Sequence, residues 1–154
     1  MINAHIFNLD IMKIQFEKQD AEKILYDSFC NGGLSELYYC GISVDWESNP
    51  NSINYTNAKN RLKEKQKENQ TICIEDVFVE ILKNGDAIIF TDNEDEDGEL
   101  IELRLDDALN NINSIADEDK IQLAKLLDED NCDADAWDYF YAIQYALHKE
   151  VIYG

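Results

Sequence analysis

A chain of 154 residues that is 45% hydrophobic and 10% aromatic can bury a single core, and is too apolar to stay an unfolded acidic tail. Its formal net charge of −20 is lopsided: residues 1–70 carry 8 Lys/Arg against 10 Asp/Glu, and residues 71–154 carry 5 against 23. A field of that sign repels phosphate backbones and anionic bilayers, so direct nucleic-acid and membrane-surface binding are excluded and the expected partners are cations or basic protein surfaces.

The opening, "MINAHIFNLDIMKIQF", has no basic leader, and Asn8 and Asp10 interrupt its apolar pattern. It reads as no secretory signal, and Met12 is an alternative start because "MKIQF" begins a more regular run. No apolar stretch reaches the roughly 20 residues of a membrane helix, so a cytoplasmic protein of one domain, residues 1–154, is expected.

In chain order, residues 12–16 read as a short strand. "EKQDAEKILYDSFC" follows as a helix, with Ala21, Ile24, Leu25, Ser28 and Phe29 at helical spacing, and "NGG" stops it because glycine reaches the left-handed region cheaply. "LSELYYCGISVDW" is ambiguous: Leu34, Leu37 and Tyr38 suit a helical turn, while Ile42, Val44 and Trp46 alternate like a strand. "ESNPNS" reads as a loop, and Ile53 to about Glu68 as a polar helix crowded with Lys59, Arg61, Lys63, Lys65 and Lys67.

"CIEDVFVEILKNG" places Ile74, Val77, Phe78, Ile81 and Leu82 on one stripe before an Asn-Gly stop. Two strands are predicted next, Ala87–Thr91 and Glu99–Leu105, the second with Ile101, Leu103 and Leu105 on one face. "DDALNNINSI" is a short helix with Asp106 as its N-cap. "DEDKIQLAKLLDED" is another, with Ile121, Leu123, Ala124 and Leu127 toward the core. The last helix lies in "DADAWDYFYAIQYALHKEVIYG", its inward stripe being Trp137, Phe140, Ile143 or Gln144, and Leu147. The fold class is therefore α+β, with about five helices on a small, mostly antiparallel sheet that includes a β-hairpin near 86–105.

Cys30, Cys40, Cys73 and Cys132 form no C-x-x-C pair, and His5 and His148 are the only imidazoles. Reduced, mostly buried thiols are expected rather than a zinc site. The turn "TDNEDEDGELIEL" tests calcium. With Gly98 at position 6 of an EF-hand loop, Asn93, Asp95 and Asp97 fall at positions 1, 3 and 5, but Arg104 takes position 12, where a bidentate carboxylate must sit. The stretch reads first as a solvated hairpin tip, with a looser divalent-metal or small-molecule site as the alternative. Walker, G-x-S-x-G, H-E-x-x-H and G-x-G-x-x-G motifs are missing, so no enzyme, catalytic residue or cofactor is expected.

The remaining reading is an interaction surface built from carboxylates. Its candidates are Asp92, Glu94, Asp95, Glu96, Asp97 and Glu99 at the hairpin tip; Asp117, Glu118 and Asp119; and Asp128, Glu129, Asp130, Asp133, Asp135 and Asp138. Asp135 and Asp138 stand three apart on the last helix, with Tyr139 and Tyr145 nearby to add apolar area beside the charge.

At "FCNGGLSELYYCGISVDW", "IEDVFVEILKNGDAIIFTD" and the closing "AIQYALHKEVIYG", the chain resembles a group of small acidic proteins of gut Bacteroidetes bacteria and their phages. The similarity is scattered over residues 12–154 and contains no chemical motif. It implies a phage or mobile-element setting, in which small acidic proteins often act against host nucleic-acid machinery. The expected function is a non-enzymatic inhibitor that presents its carboxylates to a basic groove of a host or defence protein. A structural protein of a virion is the further alternative.

Overall fold

The computed structural model describes residues 18–128 and 133–153; the strand expected at 12–16 lies outside them. Its elements in chain order are α1 (Lys18–Cys30), α2 (Gly33–Tyr39), β1 (Ile42–Val44), α3 (Asn49–Lys65) and α4 (Ile74–Lys83), then β2 (Ile88–Asp92) and β3 (Leu100–Leu103). After the sheet come α5 (Leu105–Asn113), α6 (Ile115–Glu118), α7 (Lys120–Leu127) and α8 (Ala136–His148). The α+β class and the 86–105 hairpin stand, but the helices exceed the expected five. The two that the chain-order reading lacks are α2, which resolves the ambiguous "LSELYY", and the single turn α6.

Glycine explains how α1 passes into α2. Gly32 ends the first helix at φ 101°, and a Cβ on Gly33 would lie 2.5 Å from the Ser28 carbonyl oxygen and 3.0 Å from that of Tyr139. A side chain there would push α2 off α8. Helix α8 is the hub, packing on α1, α2 and α5, with α7 and β3 at its margins. Beyond α1, α3 packs on α4, and both touch β2.

The sheet has the order β1-β2-β3 and is antiparallel throughout, with Val44 opposite Phe90 and Phe90 opposite Ile101. Ile88, Phe90 and Leu103 are buried on the face toward the helices. Each fully buried side chain of this kind contributes about 1.5–3 kcal/mol, so the stripe Val77, Phe78, Ile81 and Leu82 alone is enough to dock α4.

Four local expectations need correction. "ESNPNS" is not a loop: Ser48 caps α3 by accepting the Asn51 N–H, and Pro50 sits in the first turn, where its missing donor costs nothing. Leu105 begins α5 rather than ending a strand. The N-cap residue is Arg104, and Asp106 and Asp107 lie within the first turn, where carboxylates favour the positive end of the helix dipole. Ile121 is 85% exposed, and Ala124 is exposed too, because α7 starts at Lys120, a phase that turns Leu123 and Leu126 inward. Finally, the described thiols are not mostly buried. Cys30 and Cys73 are exposed and Cys40 is half-buried, since all three sit at helix ends, where the chain turns away from the core.

Candidate interaction surface

Helix α8 begins with a reciprocal cap. The Asp135 carboxylate accepts the N–H groups of Trp137 at 3.0 Å and Asp138 at 3.3 Å, while Asp138 Oδ2 accepts the Asp135 N–H at 2.7 Å. At 100° per residue, Trp137, Tyr141, Tyr145 and His148 share an arc of about 80°, one stripe along the helix; Trp137 is exposed, Tyr141 and His148 are half-buried, and Tyr145 is buried. Tyr141 and Tyr145 stack with ring centroids 5.1 Å apart. Tyr139 belongs to the opposite side of the helix, so Tyr141, and not Tyr139, accompanies Tyr145.

Carboxylates from distant segments converge on this stripe. At its start stand Asp135 and Asp133, both exposed and both acting on the charge of Lys125. At its middle, Tyr145 donates a hydrogen bond to Glu118. Burial first, and then this donation, push the Tyr145 hydroxyl above its ordinary value; burial does the same for Tyr141, with Asp119 and Glu118 adding to it. At its end, burial pulls His148 below the ordinary imidazole value, opposed by the charges of Glu99, Glu150 and Asp92. His148 Nε2 is buried and has no hydrogen-bond partner among the described residues. Tyr153 extends the same end toward Asp92 and Glu94.

The 13 residues of α8 span about 20 Å, a length over which duplex DNA carries roughly 12 charges. Carboxylates of the hairpin tip, the 117–119 turn and the start of α8 thus lie by the end, the middle and the start of this helix, together an acidic edge. Three cations of the lysine-rich helix are engaged elsewhere: Arg61 Nε meets Glu80 at 2.8 Å, Lys65 approaches the same carboxylate at 3.9 Å, and Lys59 lies 5.8 Å from the Tyr55 ring centroid.

The expected residues divide as follows. Glu94, Asp95, Glu96, Asp97, Glu99, Asp117, Glu118, Asp133 and Asp135 are exposed. Asp92, Asp119 and Asp128 are half-buried, and Asp119 doubles as the cap of α7 by accepting the Gln122 N–H at 3.0 Å. Asp92 and Asp95 brace the hairpin tip by accepting the N–H groups of Glu94 and Asp97. Glu129 and Asp130 lie outside the described residues.

Asp138 is a correction: it is buried and points inward. It accepts Gln122 Nε2 at 2.8 Å, Lys125 Nζ at 2.9 Å and the Asp135 N–H, so its charge is consumed inside the fold. Burial alone would raise its carboxyl. The Asp135 amide, Gln122 and Lys125 outweigh that and hold it below the ordinary range. Trp137, expected on the inward stripe, is 62% exposed, and Glu150 and the placing of Tyr141 and His148 on the Trp137 side of α8 were missed by the sequence reading. The four-residue step from Trp137 to Tyr141 to Tyr145 was the available signal.

Among the described residues, no three His, Cys, Asp or Glu side chains are grouped to hold a metal ion, and no helix is long and apolar enough to cross a membrane. No family model, curated protein or solved structure matches the chain.

Proposed function

We propose that this chain is a non-enzymatic binding protein that lays its acidic edge into a basic groove of a nucleic-acid-handling protein, in a bacterial host or its defence system. The setting is the phage or mobile-element one that the resemblance implies. The carrying observation is the convergence of carboxylates from the hairpin tip, the 117–119 turn, the start of α8 and Glu150 on the Trp137–Tyr141–Tyr145–His148 stripe. Such an edge stands in for a polyanion, and the exposed Trp137 ring beside it, with the half-buried Tyr141, adds apolar area that holds a complex after electrostatic encounter.

Capture from host lysate at two ionic strengths tests this reading. Immobilised protein is expected to retain a nuclease, polymerase or DNA-binding protein at about 50 mM salt and to lose it at about 500 mM, where exposed charges are screened. An empty lane at both concentrations, or recovery indifferent to salt, contradicts it.

A further inference from the structure

A groove of about 310 Å³ lies beside β1, walled by α2 and α4. Phe78, Phe90 and Ile42 are buried at its base, while Tyr38, Trp46 and Ile74 stand at its mouth, 67%, 46% and 41% exposed. Trp46 is held in place, stacked on Phe78 at 5.6 Å and edge-on to Tyr55 at 5.5 Å. Exposed aromatic groups fixed over an apolar base are the composition of interface anchors, and the volume suits one aromatic or one large aliphatic side chain.

Two observations select the occupant. The chain neighbours of the mouth residues are carboxylates, Glu47 after Trp46 and Glu75 after Ile74, and α2, which walls the groove, carries Glu36. The groove also adjoins the acidic edge. Glu94 of the hairpin tip lies over Gly41, where an added Cβ would sit 2.6 Å from its Cγ, and Gly41 leads directly into Ile42. A second copy of this chain would bring its own charge of −20 against the same rim, so self-association is opposed.

We infer that the groove is the anchoring half of the same interface and accepts an aromatic or large aliphatic side chain flanked by lysines or arginines on the basic partner. This rests on the acidic-edge reading and deepens it: the edge draws the partner in, and the groove fixes its register.

The test uses the full chain labelled with fluorotryptophan, whose two reporters separate the sites, since Trp46 borders the groove and Trp137 the acidic edge. The probes are the peptides Lys-Lys-Ala-Phe-Ala-Lys-Lys and Lys-Lys-Ala-Ala-Ala-Lys-Lys. The phenylalanine peptide is expected to shift the Trp46 fluorine signal saturably and to bind about tenfold more tightly than the alanine peptide. Tyr38→Ala, at a highly exposed position, removes that gain; Ile74→Ser, at the opposite side of the mouth, does the same. Equal affinity of the two peptides, or an unmoved Trp46 signal, overturns the groove. If the alanine peptide then still binds in a salt-sensitive way, the acidic edge survives without it; if neither peptide binds, both readings fall.

Discussion

Asn51 and Ile89 exchange two hydrogen bonds across 38 residues of sequence: Asn51 Nδ2 donates to the Ile89 carbonyl at 2.8 Å, and its Oδ1 accepts the Ile89 N–H at 2.9 Å. A side-chain amide thus acts as one more rung of sheet pairing, and the same Nδ2 reaches the Asp45 carbonyl at 2.6 Å. Asn51 is buried, so its loss strands the Ile89 N–H inside the fold, while the Ile89 carbonyl keeps the Asp45 N–H at 2.9 Å. Asn51→Ala is expected to lower stability by about 2–3 kcal/mol in urea unfolding. Ser48→Ala, which removes only the cap of α3, costs about 1 kcal/mol. Equal effects would show that Asn51 serves α3 alone.

Gln144 plays the corresponding part at the C-terminal end. Its Oε1 accepts the N–H groups of Ile152 at 2.9 Å and Tyr153 at 2.7 Å, and its Nε2 donates to the Tyr153 carbonyl at 3.0 Å. Gln144→Ala should release this tail while α8 stays folded. Hydrogen exchange will read that as lost protection at Ile152 and Tyr153 with the amides around Ile143 unchanged. Uniform loss along α8 would mean the glutamine supports the helix rather than the tail.

Asp138 predicts an acid limb. Its folded carboxyl sits below the ordinary value of 3.8, so its stabilisation is complete above that value and is lost as pH falls through 3.8 toward the depressed one. Asp138→Asn is expected to cost about 2 kcal/mol near neutral pH, because one charged acceptor serves the cap, Gln122 and Lys125 together. The gap between wild type and variant should close as the solution is acidified. A gap independent of pH would place the effect in packing.

His148 predicts a second limb, higher on the pH scale. Burial holds its folded imidazole below the ordinary 6.5, so the unfolded chain takes up the proton first and stability declines as pH drops below 6.5. His148→Gln should flatten the stability profile between about pH 6.5 and pH 5. An unchanged profile would mean that Glu99, Glu150 and Asp92 already cancel the cost of burying the cation.

Much of the framework was legible because single residues declared it. The Val77–Phe78–Ile81–Leu82 stripe and the Asn84-Gly85 stop define α4 without outside help, and the Gly98 turn marks the hairpin. What stayed hidden depends on distant partners. Asn51 looks like one more loop polar group until Ile89 is beside it. Asp138 looks like one more surface acid until the capping geometry of α8 turns it inward toward Gln122 and Lys125. For the acidic edge, composition revealed the quantity of charge, but only the fold brings Glu99 and Glu118 to the helix that Asp135 opens.

Competition with duplex DNA for the captured partner tests the central claim most directly. The account predicts that added duplex releases the partner, and that joint substitution of Glu94, Glu96, Glu99 and Glu118 by glutamine weakens capture by at least about tenfold while leaving the fold intact. A partner held equally by the substituted protein, or unmoved by excess duplex, would contradict it.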